Sequence, residues 1–352
     1  MATKTRPGNF FEDFRLGQQI VHAPPRTITV GDVAAYTALF GSRFAVNSSD
    51  PFAQTLGLPR APIDSMLAFH MVFGRTVADV SLNAIANLGY AGGCFGAPLY
   101  PGDTIASDSR VIGLKPNKDG KTGVVYVHST GINQHGATVL DYRRWVMVRK
   151  RNEAAPPPET VVPELPASVP VAELHCPFAI GKAGYDTARA GSDFLWDDYA
   201  VGERIDHVDG TTIEEAEHML ATRLYQNTAK VHFNQHVERE GRFGKRIVYG
   251  GHVISIARAL SYNGLANALC VAAIHGGKHS APSFAGDTIY AWSEVIAKDA
   301  LPGRNDIGAL RIRTVATKDC PAKDFPGHDT TAPADPSVVL DLDYSVLMPR
   351  RT

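Results

Sequence analysis

The chain repeats itself. FEDFRLGQQI at Phe11 to Ile20 returns as WDDYAVGERI at Trp196 to Ile205, each with an aromatic, an acidic run, a second aromatic, a glycine and a closing isoleucine. Carrying this offset of about 185 residues forward puts Thr27-Ile28 on Thr212-Ile213, Phe40 on Tyr225, Ser42 on Asn227 and Asn47 on His232. Farther along, Ala97-Pro98 and the run Pro101 to Ile105 return as Ala281-Pro282 and the run Ala285 to Ile289, and Val139-Leu140-Asp141 returns as Val339-Leu340-Asp341. Two copies of one unit imply two copies of one supersecondary plan, which removes most architectures. The offset drifts only at Lys318 to Ser337, a Pro-, Asp- and Thr-rich stretch that reads as an inserted surface loop.

Each copy opens with short elements and closes with strands. Gly31-Asp32 is the expected start of a first helix, with Val33, Ala34, Leu39 and Phe40 at helical spacing. Pro62 to Val80 is apolar enough for a helix buried on most sides. Strands are predicted at Thr104 to Leu114, Gly123 to Thr130 and Thr138 to Arg149, separated by turn residues. In the second copy, Thr211 to Leu224 is expected as a helix capped by Thr212 with Glu215 completing the box, and a second helix is expected from about Gly251 to Ala268. Seven prolines between Ala154 and Pro177 mark a crossing linker. The expected organisation is therefore a first unit over 9–150, a linker over 151–192 and a second unit over 193–349, with one helix against an antiparallel sheet in each: an α+β chain.

Composition narrows the function. A formal charge of −1 and a pI near 6.9, with no long basic block, argue against nucleic acid or a membrane surface as the main partner. No run of about 18 apolar residues occurs and MATKTRPGNFFEDF lacks the apolar core of a secretory signal, so a cytoplasmic protein is expected. Cys94, Cys176, Cys270 and Cys320 lie far apart without a C-x-x-C pair and are expected to be reduced packing residues.

The chemistry is expected at Gln226 to Asn234 (QNTAKVHFN), which precedes Tyr249-Gly250-Gly251 and an apolar helix. A single histidine on a helix is by default structural. Here, however, the framework is duplicated while its polar pair is not: Ser42 and Asn47 stand where the second copy has Asn227 and His232. That difference suggests one active copy and one retired copy.

These features resemble the MaoC-like, R-specific enoyl-CoA hydratases, whose double hot-dog fold wraps two central helices in curved antiparallel sheet. The resemblance covers nearly the whole chain. The family's signature has an Asp followed five residues later by a His, which together hold one water. His232 falls on the signature histidine, Asn227 on the catalytic aspartate and Asn234 on a later aspartate, so both acidic positions are amides here. The stretches ALFGSRFAVNSSDPFA, YQNTAKVHFNQH and YGGHVIS are more specifically similar to the branch that reversibly hydrates 2-methylfumaryl-CoA (mesaconyl-CoA) to β-methylmalyl-CoA in carbon assimilation. The resemblance implies a hydro-lyase without a cofactor, CoA being part of the substrate, and a homodimer is expected.

Hydration of an α,β-unsaturated thioester needs a base for the water, a proton for the α-carbon and a donor to the thioester oxygen. His232 suits the first two roles. Asn227 can only hold water or substrate, since an amide takes no proton. It is expected to tolerate a substrate carboxylate that an aspartate would repel. The amide of Gly251, at a helix start, is the expected oxyanion donor, with Gly250 beside it. Asn234, Lys230 and Arg43 are candidate substrate contacts, the two cations for the carboxylate, although each is equally readable as a solvated charge. His232 and His236 have i, i+4 spacing without the Glu of a zinc helix or a third ligand, so no metal is expected. His252, His275 and His279 are expected to be supporting or structural. Rival readings are R-specific hydration of ordinary enoyl-CoA, a hot-dog thioesterase, and a non-catalytic acyl-CoA-binding module.

Overall fold

The computed structural model describes residues 4–182, 184–321, 323–326 and 335–351. The first half runs through a 3-10 turn at Phe11–Asp13, β1 (Gln19–Thr27), α1 (Val30–Phe40), α2 (Ala45–Ser48), α3 (Asp50–Thr55), α4 (Ser65–Thr76), β2 (Ala84–Phe95), β3 (Thr104–Pro116), β4 (Thr122–Ile132) and β5 (Thr138–Arg149). After α5 (Thr187–Ala190), the second half repeats the order: a 3-10 turn at Trp196–Asp198, β6 (Arg204–Thr212), α6 (Glu215–Tyr225), α7 (Lys230–Phe233), α8 (Gln235–Glu238), α9 (Gly250–Leu260), α10 (Tyr262–Leu265), β7 (Cys270–His279), β8 (Thr288–Ala300), β9 (Ile307–Lys318) and β10 (Val338–Pro349).

The strands form one antiparallel sheet in the order β1-β3-β4-β5-β2-β7-β10-β9-β8-β6. That order is unchanged when read from the other end with each strand exchanged for its repeat. The junction keeps the same symmetry: Tyr90 pairs with Gly277 and Gly93 with Ile274, two pairs that exchange when each residue is replaced by its repeat. Joining β2 to β7 removes two sheet edges that would otherwise invite pairing with other chains. Under this sheet lie α4, buried from Met66 to Thr76, and α9, buried from Gly251 to Arg258. Their apolar side chains share one core with residues of both halves, each large side chain contributing about 1.5–3 kcal/mol on burial. Gly74 allows the end of α6 to sit on α4, because a Cβ there would run into the Tyr225 carbonyl.

Several sequence expectations need correction. α1 starts at Val30, capped by Thr29, whose Oγ1 accepts from the Asp32 amide at 3.1 Å while Asp32 accepts from the Thr29 amide at 2.8 Å. The box expected at Thr212 does not form: Thr212 ends β6, its hydroxyl meeting that of Thr288 at 2.9 Å, and α6 starts at Glu215 without a side-chain cap. The second central helix stops at Leu260 rather than Ala268, because Asn263 and Gly264 (φ +105°) leave helical geometry. Strands β1 and β2, with repeats β6 and β7, escaped notice. Pro24 and Pro25 interrupt β1, which is tolerated on an edge strand, and β2 is glycine-rich with no alternation.

The proline-rich connection is not free. Val161 bridges to Leu114, the Val169 amide donates to His275 Nδ1 at 2.9 Å, and Val169, Leu174 and Phe178 pack against Val46, Phe52, Leu56 and Leu347. The inserted stretch 318–337 is likewise anchored, by Phe325 packed on Val315 and Val338. Its residues 322 and 327–334 lie outside the described residues.

Candidate active site

Helix α6 ends where Gln226 adopts φ +55°, a left-handed conformation unusual for a residue with a side chain. Arg75 from α4 holds the Gln226 side-chain oxygen. The chain then turns inward. Asn227 is buried, its amide bound to the Thr222 carbonyl at 2.9 Å and its Oδ1 accepting from the Ala229 amide at 3.3 Å. One short turn later α7 presents His232.

His232 is held by Ile247, whose carbonyl lies 2.9 Å from Nδ1. A carbonyl only accepts, so Nδ1 carries the proton and Nε2 keeps its lone pair. Burial pushes the ring's pKa down to about 4, against the opposing effect of the Ile247 bond. At neutral pH His232 is therefore a neutral base with a defined tautomer. Its ring centroid is 5.8 Å from that of Tyr249.

Tyr249 immediately precedes α9 and offers that helix no side-chain cap. The amides of Gly250 and Gly251 therefore lack an intrahelical partner and sit where the helix dipole favours negative charge. Neither residue could bear a side chain: a Cβ on Gly251 would strike the Tyr249 ring and come 2.6 Å from His70 Cε1, and one on Gly250 would meet the His279 ring. Behind the helix start runs a polar chain. Tyr36 donates to Ser255 Oγ at 2.9 Å, which lies 2.8 Å from His70 Nε2, and His70 Nδ1 is 3.3 Å from the Tyr249 hydroxyl. With Tyr36 donating, each later group in this chain donates to the next, leaving the Tyr249 proton free for another acceptor. His279 meets the Tyr90 hydroxyl at 3.2 Å, and burial lowers its pKa to about 4.

The structure thus gathers His232, Gly250 and Gly251 around Tyr249 and sets Asn227 on the same segment. It does not gather the remaining predicted contacts. Arg43 stacks on Tyr262 at 4.6 Å, beyond the far end of α9 and about 15 Å along that helix from its start. Lys230 points to Asn83 Oδ1 at 3.5 Å, and Asn234 caps α8 by accepting from the Val237 amide at 3.2 Å. His275 is structural, bound on both ring nitrogens by Val169 and Ser345. His252 is buried against Phe40, with Nδ1 unpartnered. Sequence reasoning missed Tyr249, Tyr90 and His70, which no local motif distinguishes from core aromatics, and placed His279 only as a supporting residue.

Solved structures define the class. The chain superposes on a MaoC domain dehydratase from Chloroflexus aurantiacus with TM-score 0.98 and 72% identity over 100% of both chains. A Mycobacterium tuberculosis protein with a double hotdog fold follows at TM-score 0.75 and 24% identity, over 97% of this chain and 99% of the other, which shows the shared fold. This is a MaoC-like double hot-dog protein. Residues 1–332 match the mesaconyl-CoA hydratase family, and the chain belongs to it. It is 73% identical to the β-methylmalyl-CoA dehydratase of Chloroflexus aurantiacus over 100% of both chains, and 55% identical to the mesaconyl-CoA hydratase of Cereibacter sphaeroides over 99% of this chain and 100% of that one.

Proposed function

We propose that this protein is a hydro-lyase that reversibly adds water to 2-methylfumaryl-CoA to give β-methylmalyl-CoA. The observation that supports this most directly is the pairing of a neutral, tautomer-fixed His232 with the uncapped start of α9. Asn227 and His232 position one water, and His232 Nε2 takes a proton as the water oxygen bonds to the β-carbon. The double-bond electron pair moves to the thioester, whose oxygen is held by the amide of Gly251. His232 then returns the proton to the α-carbon, so the elements of water are added with no net change in the enzyme. The sequence moves protons and no net electrons, so no cofactor is called for. The R-specific alternative on neutral enoyl-CoA uses the same machinery and differs only in what recognises the far end of the acyl group.

The same reading carries a cytoplasmic homodimer. Among the described residues no helix is long and apolar enough to cross a membrane. The test is hydration of a panel of enoyl-CoA thioesters, followed by loss of the conjugated absorbance. Turnover of 2-methylfumaryl-CoA well above crotonyl-CoA is expected; the reverse order would favour the R-specific alternative, and no turnover of any member the binding module.

A further inference from the structure

Arg144, in the first half, is a buried guanidinium that forms no ion pair among the described residues. Arg144 lies in β5 on the face that carries Tyr142, Val146 and Val148 into the core, and it is 0% exposed. Its Nη2 donates to Thr76 Oγ1 at 2.8 Å and more weakly to Ser81 Oγ at 3.3 Å, and Cζ stands 4.3 Å over the Phe73 ring. Nε and Nη1 are buried and have no partner among the described residues, and the neighbouring Tyr142 hydroxyl lies among Ser129, Thr76 and Arg144 itself. Among the described residues no carboxylate forms an ion pair with Arg144. The other two arginines buried among the described residues are better satisfied: Arg75, though its Nε is unpartnered, gives both Nη groups to Pro24 and Gln226, and Arg258 gives both to Ser261 and the Ala268 carbonyl. An unpaired buried cation with unused donors is costly to keep unless something brings it an anion.

The location connects this charge to the site. Phe73, beneath Arg144, is 5.5 Å from Tyr249, whose ring is 5.8 Å from His232. Arg144 is near enough to favour the ionised forms of Tyr90, Tyr142 and Tyr249, although burial dominates and raises all three. Unused donors therefore collect here beside the Tyr142 hydroxyl: Arg144 Nε and Nη1, and the Tyr249 proton left free at the end of its chain. The repeat supplies a control. The positions of Tyr249, Phe73 and Arg144 are held in the opposite site by Asp64, Arg258 and Tyr344, so there the cation, Arg258, faces a carboxylate of the protein itself, whose pKa burial raises while Arg258 works to lower it.

We propose that Arg144, with the Tyr142 and Tyr249 hydroxyls, is the receptor for the free carboxylate of a fumarate-type acyl-CoA, reached from the His232 side past Tyr249 and Phe73. This deepens the functional reading above and rests on it. The receptor turns the carboxylate-bearing carbon toward the water on His232 and neutralises the charge that hydroxide would otherwise meet. Arg144 is a specificity-determining residue, and it takes no part in proton transfer.

The experiment compares kcat/KM for 2-methylfumaryl-CoA with that for 2-methylcrotonyl-CoA, in which a methyl group replaces the carboxylate. Wild type, Arg144→Met, Arg144→Lys and Tyr142→Phe are measured, with thermal midpoints of the ligand-free proteins. In Arg144→Met the ratio should fall by on the order of 10² to 10³, through 2-methylfumaryl-CoA alone. Arg144→Lys should recover part of it, and Tyr142→Phe should lower it roughly tenfold. Met of similar length removes an unpaired charge, so the ligand-free Arg144→Met midpoint should not fall. Equal losses on both substrates, or an unmoved ratio in Arg144→Met and Tyr142→Phe, would overturn the assignment. Should Arg144→Met fail to fold, the Tyr142→Phe ratio decides. Wild type that does not hydrate 2-methylfumaryl-CoA would sink the functional reading itself, a separate outcome from turnover that ignores Arg144.

Discussion

Residues 64 and 249 stand at the same place in the two repeats, immediately before a central helix, and they treat its first amides in opposite ways. Asp64 caps α4, its Oδ1 accepting from the Met66 amide at 2.7 Å. The Tyr249 hydroxyl points away to His70 and caps nothing, so the matching amide, that of Gly251, has no side-chain partner from its own cap position. The bonds nearby show the same divergence on a retained frame. Asn47 donates from Nδ2 to the Pro62 carbonyl at 3.1 Å, where His232 donates from Nδ1 to the Ile247 carbonyl at 2.9 Å. The anchoring bond survives in both halves, but only the imidazole has a second nitrogen free to act as a base. A cleft of about 540 Å³ opens on the first half beside Asn47, Asp50 and Arg60. Open volume is therefore a poor guide here. Chemistry depends on an available lone pair and an available amide, and the first half has given both up.

The largest effect should come from the base. His232→Ala is expected to lower kcat/KM by on the order of 10² to 10⁴ with the fold intact, whereas Asn47→Ala should stay within a few-fold of wild type. Near-normal turnover by His232→Ala, with circular dichroism unchanged, would assign activity to the wrong half.

Next comes the helix start. Tyr249→Asp transplants the first half's cap into the second, occupying the Gly251 amide and placing an anion where the oxyanion must form. A loss of roughly 10² to 10³ in kcat is expected. The reciprocal experiment, Asp64→Asn, should leave turnover alone and cost about 3 kcal/mol or more in urea unfolding, since the cap is weakened and buried Arg258 loses the carboxylate it faces. If both variants are equally active, the free amide is not what separates the halves.

Asn227→Asp should act on selectivity. A second anion near the substrate carboxylate costs about 1.4 kcal/mol or more in a partly dry site, so the ratio of kcat/KM for 2-methylfumaryl-CoA to that for crotonyl-CoA should fall roughly tenfold. Taking the ratio cancels any general loss of folded enzyme. An unchanged ratio leaves carboxylate recognition wholly to groups other than Asn227.

The smallest effect is in the pH profile. His232 must be neutral to act, and burial lowers its pKa to about 4. It stays competent as pH falls through 6.5 and loses its lone pair only near 4, so kcat/KM at pH 5.5 should remain within about twofold of its value at pH 7.5. A histidine with the ordinary value of about 6.5 would lose about tenfold over that range. An acid limb centred near 6.5 would show that the ring is better solvated than its packing implies.

The sequence by itself determined the duplication, the α+β class, the partners of each repeated element and the position of His232, because all of these are written in residue identity and spacing. The 185-residue offset carries β1 onto β6 and α1 onto α6 end to end, and the start of α4 onto that of α9. Family resemblance added the reaction. What only the tertiary structure decided depends on groups far apart in the chain. Tyr90, His70 and Tyr249 look like core aromatics until β2 and β7 join and α4 settles beside α9, after which they form polar chains across the two halves. Arg43 and Lys230 looked available for the substrate because charge is visible in a sequence and direction is not; one stacks on Tyr262 and the other reaches Asn83. Arg144 gave a faint signal, a cation on the strand face that also carries Leu140, Tyr142 and Val146. Only the folded molecule shows that no carboxylate among the described residues accompanies it, because the absence of a partner is a property of a whole neighbourhood, and the neighbourhood exists only once the chain has closed around it.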